Sequence, residues 1–241
     1  MSFYECNLHS LPEGSDSPSR LALAARKMGY QGIIICNHSG FERMFRPRSA
    51  EMVRNIDVVF GLEVIAGNAK ALHSRVASAR TRFPFIAVHG GTEEINRAAC
   101  ENPDVDVLVH PESGSGDGNR NRKGNGNCVR ALSIAAVKAA EKNRVAIGFD
   151  LSPMIRLRGG QRSRWLEVVH RNMVLVRKFD LPVVITSGAG SHLDLRSPRD
   201  LAALAEVAGF EAEEVKTALE YPARVLELNK KSYPAPGVEL L

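Results

Sequence analysis

Four histidines stand just past four apolar runs: His9 after Phe3–Leu8, His38 after Gly32–Cys36, His89 after Phe85–Val88 and His110 after Val105–Val109. They are four of the chain's seven histidines, and Glu63 is embedded in a fifth run, Val58–Ile65. Imidazole and carboxylate together are ligands for zinc and the divalent transition metals. A lone histidine at a strand end reads most simply as a hydrogen-bonding cap. Four at equivalent positions weigh that reading evenly against a metal site, present or ancestral.

A second group is basic. Between Ser113 and Arg164, eleven Lys or Arg stand against three acids, a surplus larger than the +5 of the whole chain. Arg120, Arg122 and Lys123 fall in a Gly/Asn/Ser-rich stretch, Ser113–Asn127. Arg156, Arg158, Arg162 and Arg164 fall in a second basic loop, and Arg196 and Arg199 flank a later helix start. Arginines clustered among Gly and Asn, with few acids, suit phosphate-backbone contacts. No aromatic residues interleave with them, so backbone or shape recognition is expected rather than stacking on bases. The competing reading is scattered solvated charge. Nucleophilic catalysis has little support, since Ser187 in Thr-Ser-Gly-Ala-Gly lacks the Gly-x-Ser-x-Gly elbow. The Gly-x-Gly at Gly114–Gly116 opens no helix and is no dinucleotide fingerprint.

The elements that must hold these groups alternate. Seven strands are expected: Phe3–Leu8, Gly32–Cys36, Val58–Ile65, Phe85–Val88, Val105–Val109, Val145–Phe149 and Val183–Thr186. Helices are expected over Ser19–Met28, from Asn68 to Arg80, after Thr92, over Val129–Lys142 and Ser163–Phe179, then over Ala212–Glu220 and Pro222–Leu228. A short one is expected over Ser49–Asn55. The last strand leads through Ser187-Gly188-Ala189-Gly190-Ser191 to a helix whose start is explicit. Ser197 is the N-cap, Pro198 takes the first helical position, and Asp200 closes a capping box. Such a start favours anions, and Arg196 and Arg199 flank it; as a plain turn with solvated arginines it needs no ligand.

Strands alternating with helices imply parallel pairing and right-handed crossovers. A TIM-like (β/α) barrel of about seven strands is the expected fold, with a doubly wound open sheet as the other possibility. One domain over 1–231 with a Pro-rich tail, 232–241, is expected, with no dividing linker. In a barrel the strand-end histidines converge and the basic loops share one rim. The 241 residues, 44% hydrophobic, suffice for one sizeable core. The four cysteines form no Cys-x-x-Cys, and Cys6 and Cys36 lie in core patterns; a reducing, cytoplasmic setting is expected. No apolar run reaches the roughly 20 residues of a membrane span.

The chain also resembles a family. The resemblance is carried by His110-Pro111-Glu112, the Arg/Lys/Gly/Asn loop, Ile147–Pro153, Arg162-Ser163-Arg164-Trp165, Thr186-Ser187-Gly188-Ala189 and Asp194-Leu195-Arg196-Ser197-Pro198-Arg199-Asp200-Leu201. These are similar to archaeal ribonuclease P protein component 3, the homologue of the thirty-kilodalton eukaryotic subunit. The resemblance spans nearly the whole chain and is densest from Val105 to Leu204. It implies a barrel related to the polymerase-and-histidinol-phosphatase (PHP) metal phosphoesterases. It implies a subunit of an endoribonuclease whose RNA removes 5′ leaders from precursor tRNA and requires Mg2+. It further implies a small RRM-like partner, other ribonuclease P proteins, indirect contact with precursor tRNA, and no membrane. In the metal enzymes the first strand ends His-x-His or Asp-x-His; here it reads Asn7-Leu8-His9. His38, Glu63 and His110 match ligand positions. The last strand should supply Asp-x-His, and Gly188 and Gly190 supply neither. On this basis the expected metal set His9, His38, Glu63 and His110 is vestigial, with no cofactor held tightly by the chain. Arg120, Arg122, Lys123, Arg156, Arg158, Arg162, Arg164, Arg196 and Arg199 are the expected RNA contacts. A metal-dependent phosphoesterase using His9, His38, Glu63, His89 and His110 is the alternative.

Overall fold

Apolar runs that are buried on both faces fold as parallel strands covered by helices. The computed structural model describes residues 2–41, 53–112 and 132–230. Its strands are β1 (Tyr4–Leu8), β2 (Gly32–Ile35), β3 (Asp57–Phe60), β4 (Leu62–Val64), β5 (Ile86–His89), β6 (Val107–Val109), β7 (Ala146–Asp150) and β8 (Val183–Thr186). All pairings are parallel, in the orders β1-β2-β3 and β4-β5-β6-β7-β8.

The expected third strand is two strands, so there are eight rather than seven among the described residues. Gly61 divides them. The Gly61 N–H bonds Ile35 O of β2 at 2.8 Å, and the next N–H, of Leu62, bonds Phe85 O at 3.0 Å. A Cβ at Gly61 would come within 2.7 Å of Phe85 O and 2.8 Å of Cys36 Sγ, so only glycine allows this close approach. Beyond it, Glu63 N–H returns to Asn37 O at 3.1 Å, and a single bridge joins His38 to Glu63. The two sheets thus meet at this stave. They meet again where β8 reaches β1: Thr186 Oγ1 donates to Cys6 O, and His9 N–H donates to Ala189 O at 3.0 Å. The result is a (β/α) barrel.

The helices are α1 (Pro18–Lys27), α2 (Ala69–Arg80), α3 (Glu93–Glu101), α4 (Ile134–Asn143), α5 (Ser152–Arg156), α6 (Gly159–Lys178), α7 (Pro198–Val207) and α8 (Ala212–Lys230). Asn68, Thr92 and Ser197 cap α2, α3 and α7 through their side chains, as their sequence positions require. At α7 Asp200 N–H donates to Ser197 Oγ at 3.1 Å, and the Ser197 hydroxyl donates in turn to Asp200 Oδ2 at 2.8 Å.

The helices depart from expectation at three places. Helix α4 starts only after Ser133, whose hydroxyl takes the Ala136 N–H. The second basic loop is helical: Arg156 ends α5, Arg158 is the N-cap of α6, and Arg162 and Arg164 lie in its opening turns. Pro222 does not divide the last helix, which runs unbroken from Ala212 to Lys230. Proline removes one backbone bond, but Val215, Ala218, Leu219, Pro222, Val225 and Leu226 are buried along the length of α8, and this docking outweighs the loss. Residues 53–55 are not helical; the rest of the short helix expected there, with Arg43, Arg46 and Arg48, lies outside the described residues, as does the Pro-rich tail.

Two cores result. Leu8, Ile33, Ile35, Ile86, Val88, Leu108, Ile147 and Ile185 face the helices. Tyr4, Cys6, Ile34, Cys36, Phe85, Ala87, Val107, Val109, Ala146 and Val184 fill the barrel, joined by Val225 and Leu226 of α8. Cys6 and Cys36 are buried free thiols, as expected.

Candidate metal cluster and basic rim

Strand alternation aims Glu63 into the barrel. Its neighbours Leu62 and Val64 pack outward against the helices, and Glu63 itself is 0% exposed. Around it gather the four histidines at the strand C-terminal ends. Consecutive ring centroids lie 4.8 Å apart from His9 to His38, 5.7 Å from His38 to His89 and 4.9 Å from His89 to His110. His9, His38 and Glu63 form one trio of donor atoms within 4.8 Å of one another, and Glu63, His89 and His110 form a second. His89 Nδ1 is 2.6 Å from Glu63 Oε1. The convergence expected of a closed barrel is therefore present, and all five sequence candidates take part.

Three acids join that the sequence did not single out for this site. Glu13, in the loop after β1, bonds His38 through both its backbone N–H (2.8 Å) and its ring. Asp150 Oδ2 lies 4.0 Å from His110 Nε2, and Glu112 Oε1 lies 3.9 Å from His110 Nδ1. No local signal marks Glu13: it is one acid in a polar turn, and only the fold of that turn brings it over the histidines.

The charges are strongly coupled. Burial would raise the Glu63 carboxyl, but hydrogen bonds from His38 and His89 hold it well below the usual carboxylate range. Burial works against charge on His110, yet the Glu112, Asp150 and Glu63 carboxylates lift it to about 9. His38 is raised, since Glu63 and Glu13 outweigh its burial, whereas burial prevails at His9 and lowers it.

The last strand departs from a full ligand set for a physical reason. Gly188 has φ +54°, and a Cβ there would lie 2.8 Å from the Asp150 carboxylate. That carboxylate is anchored by Ser152, at 2.8 Å from both its N–H and its hydroxyl. Asp150 thus fills the space that a side chain at 188 would need. Gly188→Ala is expected to cost ~1–3 kcal/mol, from left-handed backbone and displacement of Asp150. A urea midpoint equal to that of the unsubstituted chain would contradict this.

The basic residues are brought together in part. Arg156, Arg158 and Arg164 are exposed at the α5–α6 corner. Arg156 and Arg196 line one groove with Asp194, which pairs with Arg156 at 3.2 Å. Arg158 and Arg162 also close the end of α5: Arg158 donates to the Ile155 and Leu157 carbonyls, and Arg162 Nε donates to Leu157 O at 2.9 Å. Arg199 lines a different groove, with Phe3, Met28 and Lys216, so it does not share the Arg156–Arg196 surface. Arg120, Arg122 and Lys123 lie outside the described residues. No helix among the described residues is long and apolar enough to cross a membrane.

The fold is a (β/α) barrel that resembles, in its backbone, a solved histidinol phosphate phosphatase. The histidinol phosphate phosphatase of Lactococcus lactis, solved with zinc, L-histidinol and phosphate, superposes with a TM-score of 0.51 at 14% identity, over 87% of this chain and 95% of that one. A chain in the cryo-EM structure of archaeal ribonuclease P with mature tRNA superposes with a TM-score of 0.78 at 23% identity, over 99% and 97%. The ribonuclease P protein component 3 of Methanosarcina mazei is 37% identical over 236 residues, covering 98% of this chain and 92% of that protein. That of Methanococcoides burtonii is 36% identical, over 99% and 94%. The RNase P subunit p30 family model matches residues 2–233, and the chain belongs to that family.

Proposed function

We propose that this chain is a protein subunit of ribonuclease P that binds and helps fold the catalytic RNA for 5′-leader removal from precursor tRNA. Membership of the p30 family carries the reading. The arginine corner at Arg156, Arg158 and Arg164, with Arg162 and Arg196 beside it, supports it, because guanidinium groups on helix starts suit backbone phosphates. Arg120, Arg122, Lys123 and Arg199 are assigned the same role from the sequence. RNA carries the cleavage, and the Mg2+ it needs serves the RNA. The partners are ribonuclease P RNA, a small RRM-like subunit and the other ribonuclease P proteins, with precursor tRNA touched indirectly, in the cytoplasm. Residues 1–231 act as one domain.

The alternative, a metal-dependent phosphoesterase, is favoured by the histidine cluster and opposed by Gly188 and Gly190 in the loop that follows the last strand. One experiment separates the two. Precursor-tRNA cleavage is followed across magnesium concentrations with the RNA alone, with the RRM-like subunit, and with that subunit plus this chain. The expected result is a lower magnesium midpoint only when the chain is added, and no turnover by the chain alone. Phosphoester hydrolysis by the chain alone, with the RNA unaffected, would replace the RNA reading with the enzymatic one.

A further inference from the structure

Two grooves meet at Met28, just past α1, and run together down the flank of the barrel. One, of about 570 Å³, lies between α1 and the loop that follows β8, with Leu23, Leu193 and Leu195 in its walls. The other, of about 460 Å³, lies between the end of α1 and helices α7 and α8, with Phe3, Ala202 and Leu219 in its walls. Leu23 is 42% and Leu193 75% exposed. Single exposed leucines are ordinary, but leucines joined along a continuous apolar floor with a polar rim mark a contact surface.

The rim is cationic. Arg20, Lys27 and Arg196 line the first groove, Arg199 and Lys216 the second, and no acid among the described residues lines either. Arg20 meets Asp16 at 3.3 Å and Lys216 meets Glu213 at 3.7 Å, both acids standing outside the grooves. Lys27 and Arg199 are exposed and form no ion pair among the described residues. A second copy of this chain does not suit such a surface, because groove laid on groove would set cations against cations. RNA gains nothing from the leucines, and the one aromatic lining residue, Phe3, is half-buried and offers no face for a base. The long walls are helices, whose backbone groups are already bonded, so an occupant is held by side chains and not by strand addition.

We propose that this flank is the docking groove for an acidic amphipathic helix of another protein subunit. Apolar residues of that helix at i, i+3, i+4 and i+7 lie against Leu23, Met28, Leu193 and Leu219, and Asp or Glu on its edges face Lys27 and Arg199. That the partner belongs to the same particle rests on the ribonuclease P reading above. From Arg20 to Met28, α1 rises about 12 Å, so the first groove alone accommodates about two turns of helix, and the second lengthens the seat. Burial of Leu23 and Leu193 supplies the affinity, and the cations set the direction of docking and its rate. On this account Arg199 faces the protein partner, whereas Arg156, Arg158 and Arg164 line neither groove and stay with RNA.

The particle is reconstituted from ribonuclease P RNA and its protein subunits, with photoreactive benzoylphenylalanine in place of Leu193 or of Leu23. Irradiation should join the chain to one protein subunit from both positions. The attached peptide should carry apolar residues at helical spacing with Asp or Glu between them. Leu193→Asp combined with Lys27→Glu should weaken binding of that subunit ~10–100-fold. RNA affinity, far-UV circular dichroism and the unfolding midpoint should match the unsubstituted chain, since both side chains are exposed. Changing the facing acid of the partner to Lys should restore most of what Lys27→Glu alone loses. Cross-links to RNA from these positions give the groove to RNA and overturn the proposal. An assembled particle with no protein cross-link from either position overturns it, as does unchanged subunit binding by the double variant. A wild-type chain that binds no ribonuclease P RNA and enters no particle overturns the ribonuclease P reading, and the partner falls with it.

Discussion

Ribonuclease P RNA is expected to bind a chain carrying Arg156→Gln, Arg158→Gln and Arg164→Gln ~10–100-fold more weakly at about 0.15 M salt, with a salt slope shallower by about three. Each arginine on a phosphate displaces about one counterion, and that release supplies the affinity. All three side chains are exposed at the corner where α5 hands over to α6. Asp194 does not withdraw Arg156 from RNA: the pair is exposed, at 57% and 39%, and such pairs contribute only ~0–1 kcal/mol. Arg158 uses one guanidinium nitrogen on the Ile155 and Leu157 carbonyls and keeps the other for a phosphate. Since no core residue changes, helicity should be retained. Titrations at three salt concentrations measure both quantities, and an unchanged slope together with unchanged affinity would remove this corner from the RNA-binding surface.

Glu5→Gln is expected to flatten the pH dependence of stability between about pH 4.5 and about pH 7. Glu5 is 0% exposed on β1, inside the seam where β8 closes the barrel. Its Oε1 receives the Ser187 N–H at 2.7 Å and the Ser187 hydroxyl at 2.9 Å and lies 3.0 Å from Thr186 Oγ1. Burial outweighs these bonds and pushes the carboxyl up to about 7. Tyr30 meets the other carboxyl oxygen. Its phenol oxygen lies 2.8 Å from Glu5 Oε2 and 2.9 Å from Arg196 O. A phenol has one proton and cannot donate to both. With Glu5 protonated, Glu5 donates to Tyr30 and Tyr30 donates to the Arg196 carbonyl.

An acid raised in the folded state binds more protons folded than unfolded, so wild-type stability falls as pH rises from about 4.5 to about 7 and levels above that. The difference across that window is on the order of 3 kcal/mol. Urea unfolding of both chains at pH 4.5, 6 and 8 reads it as the wild-type curve minus the variant curve. A difference that stays constant with pH would mean that Glu5 is already ionised at pH 4.5 in the folded chain.

The short-range signals were read correctly from sequence because their physics is short-range. Ser197, Pro198 and Asp200 are a cap, a first-turn proline and a capping acid wherever they occur in that spacing, and α7 begins there. The last strand, Val183–Thr186, is bounded by Pro182 and the small-residue loop and agrees residue for residue. The alternation of strands and helices implied parallel pairing, and the histidines' recurrence at strand ends implied convergence once the barrel closes.

The remainder depended on contacts between residues far apart in the chain. Gly61 looks like one residue within a continuous apolar run. Its meaning comes from Phe85 and Cys36, which leave no room for a side chain. Pro222 looks like a helix end, and burial of α8 on both sides of it overrides that. Arg158 and Arg162 read as loop charges, whereas the carbonyls at the end of α5 turn them into helix caps. Glu13 and Asp150 are ordinary acids in sequence; one lies over His9 and His38 because Gly14 packs on Gly190, the other fills the space beside Gly188. Residue type and spacing alone determined which groups could do chemistry and which end of the barrel carries them. Tertiary structure alone decided which acid faces which imidazole, because a side chain's partners are set by the packing of strands and loops that no local stretch of sequence contains.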